Sequence, residues 1–99
     1  MKAEYDSEAD ALSILFAEGV HAVRGERVHP RAIVDMSADG PLGVQLLYPG
    51  RGIEEPLAAA ASEFGLDREA LEAAARSALS APDREVSLDV ANTASPDGT

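Results

Sequence analysis

The chain contains no cysteine and no tryptophan, and the lack of cysteine excludes disulfides, thiolate nucleophiles and cysteine metal ligands together. Aromatic side chains are scarce, with two tyrosines and two phenylalanines. Much of any core therefore falls to alanine, which contributes less transfer free energy per buried position than a Leu or Phe. Basic residues are also few, 8 Lys and Arg against 18 Asp and Glu, for a net charge of -10. A field of that sign repels nucleic acid phosphates and anionic lipid, and it favours basic protein surfaces as partners. No stretch approaches the roughly 20 apolar residues of a membrane span, and no basic leader precedes a long apolar run. With the missing cysteine, these features predict a cytoplasmic protein that makes no use of a membrane.

What is present suits one domain, because 99 residues leave room for one modest core. A small alanine-rich core beside an open strand edge favours a homodimer that buries more surface. Two textures divide the chain, strand-like alternation over residues 1 to 48 and alanine-rich helical spacing over 53 to 80. Leu12, Ile14 and Phe16 recur at period two and share one strand face, which Tyr5 joins from a short first strand. Asp39 and Gly40 form a turn dipeptide between Ala32 to Ser37 and Leu42 to Tyr48, predicting a hairpin. Val20 to Val28 reads as a weaker strand broken by Gly25, with Pro30 confining it to an edge or a turn.

The helical region carries clear punctuation. Pro56 suits a first turn, Leu57, Ala60, Ala61 and Phe64 follow helical spacing, and Gly65 is a stop. Asp67 is placed to cap a second helix, with Leu66 and Leu71 as a hydrophobic staple. After Pro82, Val86, Leu88 and Val90 alternate with polar residues, which predicts a strand over 84 to 90 returning to the sheet. Residues 91 to 99 are small and polar, and disorder is expected there. The expected core comprises Leu12, Ile14, Val44, Leu46, Phe64 and Leu71. The predicted fold class is α+β: one domain over residues 1 to 90, with a small antiparallel sheet from the N-terminal half and a C-terminal strand, covered by a helical hairpin.

The opening block Tyr5-Asp6-Ser7-Glu8-Ala9-Asp10-Ala11-Leu12-Ser13-Ile14, with Ile33-Val34-Asp35 and Asp39-Gly40-Pro41-Leu42-Gly43-Val44-Gln45-Leu46-Leu47, resembles a short bacterial family catalogued as domain of unknown function 2283. Members of that family typically open Tyr-Asp-Pro-Glu-Ala-Asp-Ala-Leu-Tyr-Ile. The resemblance covers residues 1 to 48 and departs at three positions: Ser7 replaces proline, Ser13 replaces an aromatic, and Gln45 stands where glutamate is frequent. It implies a small antiparallel β domain without an established activity, sometimes suggested to act as the antitoxin-like partner of a small toxin.

Three groups of residues are candidates for chemistry or binding. Asp6, Glu8 and Asp10 match the first, third and fifth positions of an EF-hand loop, but Ala11 replaces its glycine and Ala17 its bidentate glutamate. Asp6 and Asp10 are therefore expected to structure the turn by accepting backbone amides, as Asp39 and Gly40 structure the next hairpin, while Glu8 is solvated. His21, Arg24, Arg27, His29 and Arg31 form the basic stretch of an acidic chain, a candidate anion or partner contact and, around His21, Arg27 and His29, a candidate ligand-binding or enzymatic site. The competing reading is a charged edge strand, and two histidines without cysteine are a poor zinc site. The helix pair spaces its apolar residues and Gly65 like a helix-turn-helix, with Arg68 and Arg76 as candidate DNA contacts, yet six carboxylates oppose those two arginines.

Catalytic and nucleotide motifs are missing. No Gly-x-Ser-x-Gly elbow occurs, and Gly50-Arg51-Gly52 lacks the rest of a dinucleotide loop or a Walker lysine. No catalytic residue, cofactor or metal ligand is assigned. The expectation is a non-catalytic interaction domain with a basic protein partner, the alternatives being a DNA-binding regulator and the ligand-binding site just described.

Overall fold

Alternation of buried and exposed positions along the first half builds a sheet, and the computed structural model, which describes residues 1–19 and 21–88, shows six strands in it. They are β1 (Lys2–Asp6), β2 (Ala11–Leu15), β3 (Arg24–His29), β4 (Ala32–Ser37), β5 (Gly40–Leu47) and β6 (Glu85–Ser87), in the order β3-β4-β5-β2-β1-β6. Every neighbouring pair is antiparallel. The fold is α+β as predicted, with strands drawn from both halves of the chain.

The strand register sorts side chains cleanly by face. Ala3, Ile14, Val44 and Val34 lie in one row across four strands, with Tyr5, Leu12, Leu46 and Ala32 in the next. All but the half-buried Tyr5 are buried, because this face is covered by α1 (Glu54–Phe64) and α2 (Arg68–Ser80). Helix α1 lies over β3, β4 and β5, whereas α2 lies over β1, β2 and β6. Ala60, Ala61, Ala74, Ala75 and Ala78 are buried here, so the scarcity of aromatics is met by bringing small helix faces close to the sheet. Five of the six expected core residues are buried, while Phe64 is half-buried at the edge of the cluster and Leu57 and Val34 are fully buried instead.

Punctuation acts largely as read. Gly65 takes φ 66 and its N–H donates to the Ala61 carbonyl, ending α1. The Asp67 carboxylate accepts from Ala70 N–H and caps α2. Pro56 falls in the first turn of α1, where Glu54 and Glu55 also face the positive end of the helix dipole. The predicted hairpin exists, but its turn residues are Ala38 and Asp39, and Gly40 opens β5 at φ 134. Ser37 completes that turn, its Oγ donating to the Gly40 carbonyl and accepting from Asp39 N–H.

Two strand boundaries differ from the sequence reading. β3 begins at Arg24 rather than Val20, since Gly19 turns the chain at φ 77 and pairing with β4 starts only near Val23. It is an edge strand, and Pro30 sits in the turn that follows. The returning strand is the short Glu85–Ser87 beside β1. Val20, Val90 and the expected tail at 91–99 lie outside the described residues. No helix among the described residues is long and apolar enough to cross a membrane.

Candidate functional site

The acidic turn between β1 and β2 is organised from within. Asp6 Oδ1 accepts the backbone N–H groups of Glu8 at 3.0 Å and Ala9 at 3.1 Å, as expected, and Glu8 is exposed. Asp10 behaves differently from expectation: it takes φ 52, and its carboxylate accepts the Tyr5 hydroxyl at 2.8 Å instead of a backbone amide. That hydrogen bond, with partial burial and the nearby charges of Asp10, Asp83 and Asp6, raises the Tyr5 phenol above its ordinary value. Across the turn, Ser7 donates both its N–H and its hydroxyl to Asp83, and these two bonds hold the Asp83 carboxyl below its ordinary value. Among the described residues no group of three or more His, Asp or Glu side chains is arranged to hold a metal ion.

The basic stretch does not converge on one point. A register shift between Arg27 and His29 sends these two side chains to opposite faces of β3. Arg27 shares the uncovered face with Ile33, and its Nη1 donates to the Pro30 carbonyl at 2.8 Å. His29 turns toward the helices, its Nδ1 accepting from Arg31 N–H, which places the neutral ring's hydrogen on Nε2, 3.4 Å from Glu55 Oε1. Arg31 Nη1 donates to the Leu47, Tyr48 and Gly52 carbonyls and so pins the approach to α1. Arg24 pairs with Glu26 at 2.7 Å, and His21 is exposed in the preceding loop. Most of the cations of this stretch are thus held by the chain's own acceptors.

Glu72 treats the two helical arginines in the same way. Arg68 Nε and Arg76 Nη1 each lie 3.5 Å from the carboxylate of this half-buried residue, and Arg76 also reaches Glu54. Glu55, Glu63 and Glu69 remain exposed on the same layer. The helix pair therefore presents a surface with an excess of carboxylates, its cations bridged internally.

Among the described residues nothing covers the sheet face opposite the helices. Ser13 and Gln45 are exposed at its centre, Leu15, Ile33 and Leu47 are half-buried around them, and the Gln45 amide donates to Asp35. Gly43 forms the floor, where any Cβ would run into the Ile14 carbonyl of β2. Lys2 at one end of this face is bridged to Glu18 and Glu85. Sequence reasoning missed the partners Glu55 and Asp83, distant in sequence from the residues they serve, and Glu72, which stands at helical spacing from both of its arginines. No family model, curated protein or solved structure matches this chain.

Proposed function

We propose that the chain is a non-catalytic cytoplasmic interaction domain, dimeric with itself and docking on a basic protein through its acidic helical layer. The observation that carries this reading is the pairing of Arg68 and Arg76 with Glu72, which leaves Glu55, Glu63 and Glu69 to set the sign of the exposed surface. A surface of one sign steers an oppositely charged partner during encounter. The resemblance of residues 1 to 48 to domain of unknown function 2283 belongs to the same proposal, and gives it an antitoxin-like form in which the basic partner is neutralised by capture. The internal engagement of Arg24, Arg31, Arg68 and Arg76 weighs against a phosphate-reading surface.

The experiment is kinetic. A partner recovered from the native host is expected to be basic, to associate more slowly as salt rises, and to associate more slowly still with Glu63→Lys and Glu69→Lys. Duplex DNA at physiological salt is expected to bind no better than the roughly micromolar or weaker range of non-specific complexes. Nanomolar, sequence-selective DNA binding that disappears in Arg68→Ala or Arg76→Ala would replace this reading with a DNA-binding regulator.

A further inference from the structure

Two rows of side chains cross the uncovered face of the sheet, each with one residue from every strand. The first runs Glu85, Glu4, Ser13, Gln45, Ile33, Arg27, and the second Ser87, Lys2, Leu15, Gly43, Asp35, Gly25. Laid against its own reversal, each row pairs most of its members with partners of fitting charge, polarity or size, Glu4 against Ile33 being the exception. A two-fold axis parallel to the strands, passing between β2 and β5, sets Glu85 against the second copy's Arg27 and Lys2 against its Asp35. At the centre it sets Ser13 against Gln45, two polar groups able to exchange hydrogen bonds. Beside them the same operation lays the half-buried Leu15 over the second copy's Gly43, a position that has no side chain and tolerates none.

We propose that this face is the contact surface of a homodimer, in which a second copy of the chain packs sheet to sheet. The proposal rests on the dimeric reading above and goes further by naming the surface and the symmetry. A C2 contact must be self-complementary, because each residue pair occurs twice. The face meets that demand at the Glu85–Arg27, Lys2–Asp35, Ser13–Gln45 and Leu15–Gly43 pairs. Arg27 in particular holds only a carbonyl oxygen among the described residues, so its charge is available to a carboxylate of another molecule. Leu15, Ile33 and Leu47, partly exposed in the single chain, would be covered by the same contact.

Packed sheets keep their strands within about 30° of each other at about 10 Å separation. That rotation displaces the outer strands most, and the long Arg27 and Glu85 side chains are the ones placed to span the offset. Six strands give a face only about 25 Å wide, so the contact is small and the dimer should be weak and concentration-dependent rather than obligate.

Sedimentation equilibrium from about 10 μM to about 1 mM tests this directly, with circular dichroism confirming that each variant is folded. The wild-type chain is expected to shift from monomer toward dimer across that range. Ser13→Arg, which brings two like charges together beside the axis, is expected to leave it monomeric throughout. Arg27→Glu is expected to weaken the dimer about fivefold or more, since the charge pair is lost twice, and Glu85→Arg in the same chain to restore it. Arg24→Glu, on the other side of β3, is expected to change little. A dimer indifferent to Ser13→Arg and Arg27→Glu would overturn the sheet-face contact while leaving dimerisation itself intact. A wild-type chain monomeric at every concentration would overturn both, without touching the salt-dependent capture of a basic partner.

Discussion

Ser7 and Asp83 lie 76 residues apart in sequence, yet the Asp83 carboxylate accepts the Ser7 backbone N–H at 2.9 Å and its hydroxyl at 2.6 Å. The pair ties the turn between β1 and β2 to the turn that feeds β6, where Asp83 itself sits at φ 63 and donates its N–H to the Tyr5 carbonyl. The first of these bonds needs a residue with a backbone N–H at position 7, which a proline there could not supply.

Ser7→Pro is therefore expected to remove both bonds at once and Ser7→Ala only the hydroxyl bond. Asp83 is lowered in the folded chain, so its contribution to stability is present above the ordinary carboxyl value of 3.8 and is lost as pH falls through the depressed folded value. Acid titration followed by circular dichroism should show the wild type holding its fold to lower pH than Ser7→Ala, with Ser7→Pro the most sensitive. Coincident acid transitions would show that the pair contributes nothing.

The opposite sign applies to Tyr5. Its phenol is raised above 10.0 by the bond to Asp10, by burial and by surrounding carboxylates, so the stability tied to the neutral form is complete below that value and lost as pH rises through the higher folded value. In a Tyr48→Phe background, ultraviolet absorbance should place the ionisation of Tyr5 above 10.0 in the folded chain and return it to the ordinary value in denaturant. Asp10→Ala should lower the folded value.

Leu46→Ala and Leu57→Ala should each cost about 2–5 kcal/mol, because both side chains are fully buried between the helices and the sheet. Denaturant melts measure this, and Phe64→Leu at the half-buried edge should cost less. A loss below about 1 kcal/mol at Leu46 or Leu57 would mean that the core can collapse around the missing atoms.

Gly43→Ala should destabilise by about 1–3 kcal/mol, since the new Cβ meets backbone of β2 and not a movable side chain. Arg31→Met should cost about 1–3 kcal/mol as well, by removing the guanidinium from the Leu47, Tyr48 and Gly52 carbonyls, of which Tyr48 keeps the Arg51 N–H. Thermal melts of the two variants check both.

Local chemistry made much of this architecture legible. Period-two runs such as Leu12, Ile14 and Val44, Leu46 specify a buried face, and Gly65 and Asp67 mark a helix stop and a start by conformational needs that few residues meet. Other features depend on distances the sequence does not carry. The sidedness of Arg27 and His29 turns on a one-residue register shift, which reverses every later side chain and has no marker at Val28. Partners such as Glu72 for Arg68 and Arg76 sit at helical spacing and could have been found by that rule, whereas Ser7 with Asp83 and His29 with Glu55 are joined only by the fold.

Strand β1 lies second from the edge, beside a β6 that comes from the far end of the described chain, and the Met1 amino group reaches the Leu88 carbonyl across a sequence separation of 87. Among the described strands β1 is synthesised first, yet its outer edge is closed by the one synthesised last. Until Glu85–Ser87 follows, its outer N–H and C=O groups can pair with any extended chain nearby, including a sister nascent chain on the same message. A chain interrupted within the second helix would therefore keep that edge open, and its closure by Glu85–Ser87 becomes part of how the fold resists aggregation.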